Sequence, residues 1–188
     1  MGCFLQETEG GGSTRVVMEF SYDELLYDIK NACWMEGRAL RRQEEAQAPG
    51  TAGGGTIQMS DIVTDIGEDG IRDRVNRMLG LYHSAVTELL YAYTQREVTK
   101  SILTDNPEEP AVYHIIMEVP QGFSQTTLDY MERLIHEWLV AKVVTDYLAI
   151  NLPDQAKLWA GRAEELDTEI RGCVNARRNY GRIKGRPF

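Results

Sequence analysis

The sequence predicts a mainly α-helical fold: a four-helix bundle-like domain with one or two short strands and an extended C-terminal arm. Long segments repeat their apolar residues at three- and four-residue steps, which is typical of helices with one buried face. Two short segments are rich in branched apolar residues, as strands are. Stretches rich in glycine and proline separate these segments and indicate loops. The 188 residues, 43% of them apolar, suffice for one domain with its own core.

Two glycine-rich stretches set the expected domain boundaries. Because EGGGST occupies residues 9–14, we expect a flexible N-terminus over residues 1–14. A second stretch begins APGTAGGG, and we expect a mobile loop at 48–56, since glycine loses much conformational entropy on ordering. We predict a single helical domain over 15–181 that contains this loop, followed by an extended C-terminal arm over 182–188.

The first strand and the first helix follow from the local pattern. RVVMEF at residues 15–20 predicts a short strand. Ser21 and Glu24 then have the spacing of a capping box, which predicts a helix from Tyr22 to Ala46. We expect its buried stripe to contain Leu25, Leu26, Ile29, Cys33, Trp34 and Leu40.

Three more helices and one more strand are predicted after the glycine-rich loop. Apolar residues recur at helical spacing over 69–94, and YHIIMEV at 113–119 predicts a strand. The helix over 124–151 has an apolar face wider than half its circumference, so we expect it at the centre of the domain. A short break before Pro153 predicts that the last helix, to about Arg178, forms an antiparallel hairpin with it.

The cysteines and the hydropathy pattern indicate the compartment. Three cysteines are too few and too scattered for a disulfide framework or a CxxC metal site. We expect reduced thiols, with Cys33 and Cys173 acting as small apolar residues on helices. We expect no signal peptide and no membrane-spanning helix, because the N-terminus lacks a leader pattern and polar residues interrupt the longest apolar stretch, 134–150.

The polar residues indicate no catalytic, metal or cofactor site. His136 begins a motif like HExxH, but Val140 stands where the second histidine is required. Glu132 and His136 lie one turn apart and could both touch a metal, yet we predict an ordinary pair on the polar stripe of a helix. For His83 and His114 we expect surface positions, since neither has a carboxylate or cysteine at ligand spacing.

Seven aromatic side chains fall at helical spacing on faces that we expect to be buried. They are Tyr82, Tyr91, Tyr93, Tyr130, Trp138, Tyr147 and Trp159. This pattern is typical of packing and less typical of a platform on which bases stack. The sequence therefore favours a protein that is not an enzyme and that needs no cofactor.

The C-terminal sequence is basic although the protein is acidic. The formal net charge is −9, yet the chain from Arg171 onward has six basic residues and no acidic one. An apolar-anchored basic peptide is typical of a segment that docks into a groove, so we predict a partner-docking arm. Its residues are Arg177, Arg178, Tyr180, Arg182, Ile183, Lys184, Arg186, Pro187 and Phe188.

Three stretches of the chain carry a resemblance to known proteins: Asp73-Arg74-Val75, Leu90-Tyr91-Ala92-Tyr93-Thr94 and residues 134–140, LIHEWLV. They resemble the corresponding stretches of small proteins encoded in phages and prophages of gut Bacteroidetes. More broadly, a mainly helical protein of this size with a C-terminal arm is similar to the head–tail connector (adaptor or neck) proteins of tailed phages.

This resemblance implies a non-enzymatic structural protein of the virion. It implies a homo-oligomeric ring, typically dodecameric in that family, that lies between the portal protein and the tail or neck proteins. The arm of such a subunit docks onto the portal or onto a neighbouring subunit, and DNA passes through the lumen without sequence-specific contacts. The implied location is the head–tail junction of the virion, after synthesis in the cytoplasm of the bacterial host, with no membrane partner.

Two alternatives stay open. One is a tail-completion protein or another neck protein of the virion. The other is a small nucleic-acid-associated regulator whose basic arm neutralises several phosphates. The charge distribution argues against the regulator, because subtracting the +6 of residues 171–188 from −9 leaves −15 on residues 1–170, which repels DNA.

Overall fold

The computed structural model describes residues 2–7, 13–47, 66, 69–94, 110–120 and 123–175. These residues form a mainly helical domain with a small antiparallel sheet, as the sequence predicts. The elements in chain order are strand β1 (Gly2–Glu7), strand β2 (Ser13–Ser21), helix α1 (Tyr22–Gln47), helix α2 (Asp69–Leu89), the single-turn helix α3 (Tyr91–Thr94), strand β3 (Val112–Pro120), helix α4 (Gln125–Asn151) and helix α5 (Pro153–Asn175).

The sheet has the strand order β1-β2-β3, with both pairs antiparallel. In the register of β2 and β3, Phe20 lies opposite Tyr113 and Val16 lies opposite Met117. One face of the sheet is packed against the helices, and its side chains are buried. They are Val16, Met18, Phe20, Tyr113, Ile115, Met117 and Val119. Buried residues alternate with less buried ones along both strands, which confirms the two strands that the sequence predicts.

Strand β1 corrects the prediction of a flexible N-terminus for residues 2–7. These residues pair with the edge of β2 that β3 leaves open, from Gly2 opposite Glu19 to Glu7 opposite Thr14. A central strand has two edges of backbone N–H and C=O groups, and a second partner strand satisfies the remaining edge. Such pairing between segments is not visible in the hydropathy of either one.

Helix α4 is the centre of the domain, as its wide apolar face predicts. It contacts α1, α2 and α5, and buried residues occur on every side of its middle turns. Helix α5 packs along it as the predicted antiparallel hairpin, and the Leu152 N–H donates to the Leu148 carbonyl at 2.7 Å where α4 ends. On this hairpin the Tyr130 hydroxyl donates to Glu169 Oε2 at 2.5 Å.

Polar contacts join the other helices to this hairpin. The Tyr82 hydroxyl of α2 donates to Asp146 of α4, and the Tyr82 ring meets the Trp138 ring edge-on, with 5.9 Å between centroids. The Trp159 indole N–H of α5 donates to Glu36 Oε1 of α1 at 3.0 Å. Each of these bonds connects elements that are far apart in sequence, so they fix the relative positions of the helices.

The structure differs from the sequence prediction at the end of the second helix. We expected one helix to Thr94, but α2 ends at Leu89 and a turn at Leu90 precedes α3. The Thr94 hydroxyl donates to the Thr87 carbonyl at 2.9 Å, and the Tyr93 N–H bonds Leu90 three residues back. The bond from Tyr93 to Leu90 has the three-residue spacing of a 3₁₀ turn, which is tighter than an α-helical turn.

Three aromatic residues that we expected on buried faces are exposed. Trp34 is 45%, Tyr91 57% and Tyr130 49% exposed. Trp34 lies on the outer side of α1, where the Arg38 guanidinium covers its ring at 4.7 Å from the centroid. The other expectations hold: Trp138 and Tyr147 are buried, and Tyr82, Tyr93 and Trp159 pack against the core.

Cys33 and Cys173 are free and buried on helices, which confirms their prediction as apolar residues. Burial and the nearby Glu36 carboxylate raise the pKa of the Cys33 thiol to about 12, so this thiol stays protonated. Among the helices whose residues are described, none is long and apolar enough to cross a membrane. The expected mobile loop at 48–56 and the end of the last helix at 176–178 lie outside the described residues.

Candidate functional site

A cleft of about 500 Å³ lies between the first turns of α1 and the middle of α4. Its walls are Asp23, Glu24, Tyr27 and Asp28 from α1 and His136 from α4. The cleft therefore combines three carboxylates and an aromatic ring with one buried imidazole. Tyr27 is 67% exposed, so the aromatic wall faces the solvent as well as the cleft.

The start of α1 places the acidic residues. The backbone N–H of Glu24 reaches Ser21 Oγ at 3.5 Å, which is one of the two contacts that the predicted capping box requires. Asp23 and Glu24 then lie in the first helical turn, where the positive end of the helix dipole favours a carboxylate. Asp28 follows one turn after Glu24, so both project on the same side of the helix.

His136 reaches the cleft from the central helix. The residue is 4% exposed, and its Nε2 lies 2.7 Å from Asp28 Oδ2. Because a carboxylate only accepts hydrogen bonds, the imidazole Nε2–H is the donor. Nδ1 is also buried and has no hydrogen-bond partner in the described part of the chain. The imidazole is therefore fixed at one nitrogen and unsatisfied at the other.

Glu132 lies one turn before His136 and is 7% exposed. Its Oε1 is buried without a hydrogen-bond partner among the described residues. Burial raises the pKa of the Glu132 carboxyl, and the Asp129 carboxylate raises it further, while Arg133 and His136 act in the opposite direction. A buried carboxyl with an unsatisfied oxygen favours the protonated form.

These two burial values overturn the prediction that Glu132 and His136 form an ordinary pair on a solvated stripe. The sequence assigns the polar stripe of α4 to solvent, but α1 packs against α4 and Asp28 binds His136 there. A helix at the centre of a domain has its polar stripe covered by a neighbouring element, which hydropathy along one helix does not reveal.

The other two histidines lie away from this cleft, on α2 and on the sheet. His83 Nε2 is 3.1 Å from the His114 carbonyl, and the two rings of His83 and Tyr113 lie 5.1 Å apart. Burial lowers the pKa of His83. His114 Nδ1 lies 3.5 Å from Glu19 Oε1 across the sheet. Within the described ranges, no three His, Cys, Asp or Glu residues are grouped so that they could hold a metal ion.

The Asp28 carboxylate should contribute to stability through His136. Replacing it in Asp28→Ala leaves the buried Nε2–H without its acceptor, and we expect a loss of about 1–3 kcal/mol in the free energy of unfolding. Asp28→Asn keeps a carbonyl oxygen as acceptor and should lose less. Urea unfolding followed by circular dichroism measures both.

Asp23→Ala is the matched control for this effect, because it removes an equal charge from the same cleft and leaves the bond to His136 intact. If Asp23→Ala and Asp28→Ala are destabilised equally, charge at the start of α1 and not the hydrogen bond determines the loss.

The predicted docking residues lie outside the described residues. All nine of them fall within 177–188, after the last described residue of α5. The cleft itself was not predicted. Its sequence signal is the spacing of Asp23, Glu24 and Asp28 on one side of the first helix, but nothing in the sequence pairs that segment with His136, which follows 108 residues after Asp28.

Comparison with models of protein families, with curated proteins and with solved structures finds no significant match for this chain.

Proposed function

We propose that the protein is a structural virion protein of a tailed phage, a ring-forming head–tail connector (adaptor) subunit that joins the portal to the tail. The observation that carries this proposal, together with the resemblance of the sequence, is a set of large apolar side chains exposed on the outer side of α1. A protein that acts by assembling needs such surfaces, and a monomer seldom keeps them together.

The exposed set on α1 consists of Tyr27, Trp34 and Met35, which are 67%, 45% and 60% exposed. Their spacing of seven and eight residues places them along one side of a helix. The buried residues Leu25, Ile29 and Cys33 occupy the other side, so this part of α1 has two apolar sides, of which the core covers one.

Further large apolar residues are exposed on other elements. They are Leu81 on α2, Tyr91 on α3, Ile150 on α4 and Leu158 on α5, each more than half exposed. In a ring each subunit offers two different surfaces, one to each neighbour. Exposed apolar residues on α1 and on separate elements are consistent with that requirement and support a heterologous contact.

We expect Trp34→Ser combined with Met35→Ser to weaken self-association about 100-fold, since truncating a central interface residue costs roughly tenfold or more in affinity. Native mass spectrometry and mass photometry measure the distribution of oligomers. Circular dichroism should be unchanged, because both side chains lie outside the core. Asn31→Ser, at an exposed polar position one turn before Trp34 and Met35 on the same helix, is the control and should assemble as the wild type does.

Cryo-electron microscopy of virions tests the location. The connector proposal expects a ring of this protein directly beneath the portal, and a pull-down with the portal protein should retain it. A ring at the far side of the neck would instead identify a tail-completion protein. Absence of the protein from purified virions, measured by mass spectrometry, would refute both.

The regulator alternative has its own test. Electrophoretic mobility of duplex DNA at low salt should shift with the full chain and lose that shift when residues 177–188 are deleted, if the basic arm binds phosphates. The three carboxylates at the start of α1 add to the acidic body that opposes such binding.

A further inference from the structure

The acidic cleft has the features of a site for a basic peptide. Three carboxylates line it, and the exposed ring of Tyr27 offers an apolar contact. His136, almost wholly buried on its wall, has a ring nitrogen without a hydrogen-bond partner in the described part of the chain. The imidazole is held in this wall by the contact of its Nε2 with Asp28, and the carboxylates are the groups that a guanidinium or ammonium group would contact.

The chain itself contains a segment of complementary charge. Residues 177–188 have five basic side chains, no acidic side chain, and the apolar Ile183 and Phe188. Arginine binds carboxylates in two-point contacts and also stacks on aromatic rings, so its chemistry matches both parts of the cleft. The cleft of 500 Å³ has room for a few side chains of this kind and not for the whole segment.

The geometry of the helical hairpin gives the distance from the end of α5 to the cleft. The Tyr130–Glu169 hydrogen bond marks one level at which α4 and α5 lie side by side. From there His136 lies six residues along α4, and Asn175 lies six residues along α5 in the opposite direction, or about 9 Å each way. Adding the width of one helix contact, the distance is about 20 Å.

The length of chain after Asn175 determines which basic side chains of the segment can reach the cleft. Arg182 and Arg186 follow Asn175 by seven and eleven residues, so the chain can extend at most about 23–36 Å to them. Arg177 and Arg178 follow by two and three residues and reach at most about 10 Å. Only the distal cations match the distance to the cleft.

We propose that the acidic cleft formed by Asp23, Glu24, Tyr27, Asp28 and His136 binds the distal basic part of the same chain, Arg182 to Arg186. Tethering favours the chain's own segment over that of a second copy. When a short linker is long enough to span the distance between two sites, the effective concentration is in the millimolar range, above the concentration of free subunits. The contact holds in a monomer, so it does not rest on ring assembly.

Tryptic cleavage after Lys184 tests the proposal on the full chain. Docking shields this bond, so at low salt the wild type should be cleaved about threefold to tenfold more slowly than Asp23→Asn/Asp28→Asn. At about 0.5 M salt the two rates should converge, because exposed ion pairs are screened. Mass spectrometry of the released C-terminal fragment measures the rate.

Two matched controls accompany this comparison. Asp154→Asn/Glu165→Gln removes two exposed carboxylates from α5, changes the net charge equally, and should retain the slow rate. In the segment, Arg182→Gln/Arg186→Gln should accelerate cleavage while Arg177→Gln/Arg178→Gln should not. Synthetic peptides with the same substitutions correct for the preference of trypsin itself.

Equal cleavage rates for the wild type and the cleft variant at low salt would overturn the proposal, and so would acceleration by the proximal pair as large as by the distal pair. Protection from trypsin that increases with protein concentration between about 1 and 100 μM would show that the cleft binds the segment of a second copy. That result would also overturn the proposal. Failure of the protein to appear in virions leaves these rates unaffected, so the two proposals fail separately.

Discussion

Phe20→Ala should lower the free energy of unfolding by about 3–5 kcal/mol. Phe20 is among the largest fully buried side chains of the described core, with 0% exposure. It lies opposite Tyr113 on the inner face of the sheet, one residue before the end of β2. Its removal leaves a cavity where the sheet is joined to α1, and the surrounding backbone pairs on both sides of β2 limit collapse into it.

Val17→Ala is the control for this prediction. Val17 lies on the opposite face of the same strand and is only partly buried, so its truncation should cost clearly less. Denaturant unfolding of both variants, followed by tryptophan fluorescence, gives the two free energies. Equal losses would mean that the sheet does not present Phe20 to the core, and the register of β2 against β3 would be wrong by one residue.

Glu132→Gln should raise the free energy of unfolding by about 1–2 kcal/mol at pH 8. Glu132 is buried on α4 with one oxygen unsatisfied among the described residues, and burial raises the pKa of its carboxyl above the usual value of 4.5. A raised pKa in the folded state means that the folded protein holds the proton more tightly. The stability that this provides is complete below about pH 4.5 and is lost as the pH rises through the raised pKa.

The gain in Glu132→Gln should accordingly be larger at pH 8 than at pH 5, because the amide cannot ionise. Urea unfolding at both pH values measures the difference. Glu137→Gln, an exposed position on the same helix, removes the same charge without a burial effect, so its difference in stability from the wild type should be nearly the same at both pH values. A gain for Glu132→Gln that is independent of pH would show that its carboxyl stays ionised in the folded protein.

The main elements of the fold could be predicted because each has its own periodicity. The apolar face of α4 and the branched residues of β3 are local properties, and both elements end within a residue or so of the predicted boundaries. The antiparallel hairpin of α4 and α5 followed from the short break before Pro153. In each case the information lies within one segment or one turn of chain.

Positions on the outer surface of a helix were harder to predict. Trp34 follows the buried Cys33 directly and continues an apolar stripe, so hydropathy places it in the core. It is exposed because α1 turns that side outward, where Arg38 covers part of the ring. Whether an apolar side chain at the edge of a stripe is buried depends on which element packs beside it. Hydropathy along one helix does not identify that element.

What the sequence by itself determined about this protein is the helical class, the strands β2 and β3, the central helix and the contrast between an acidic body and a basic C-terminal segment. Only the tertiary structure decided that Gly2–Glu7 completes the sheet, and that α1 covers the polar stripe of α4. The periodicity of a segment indicates which of its residues face the core and which face water. Which segments meet depends on packing across the whole chain, and the contact of Asp28 with His136 that builds the acidic cleft arises only there.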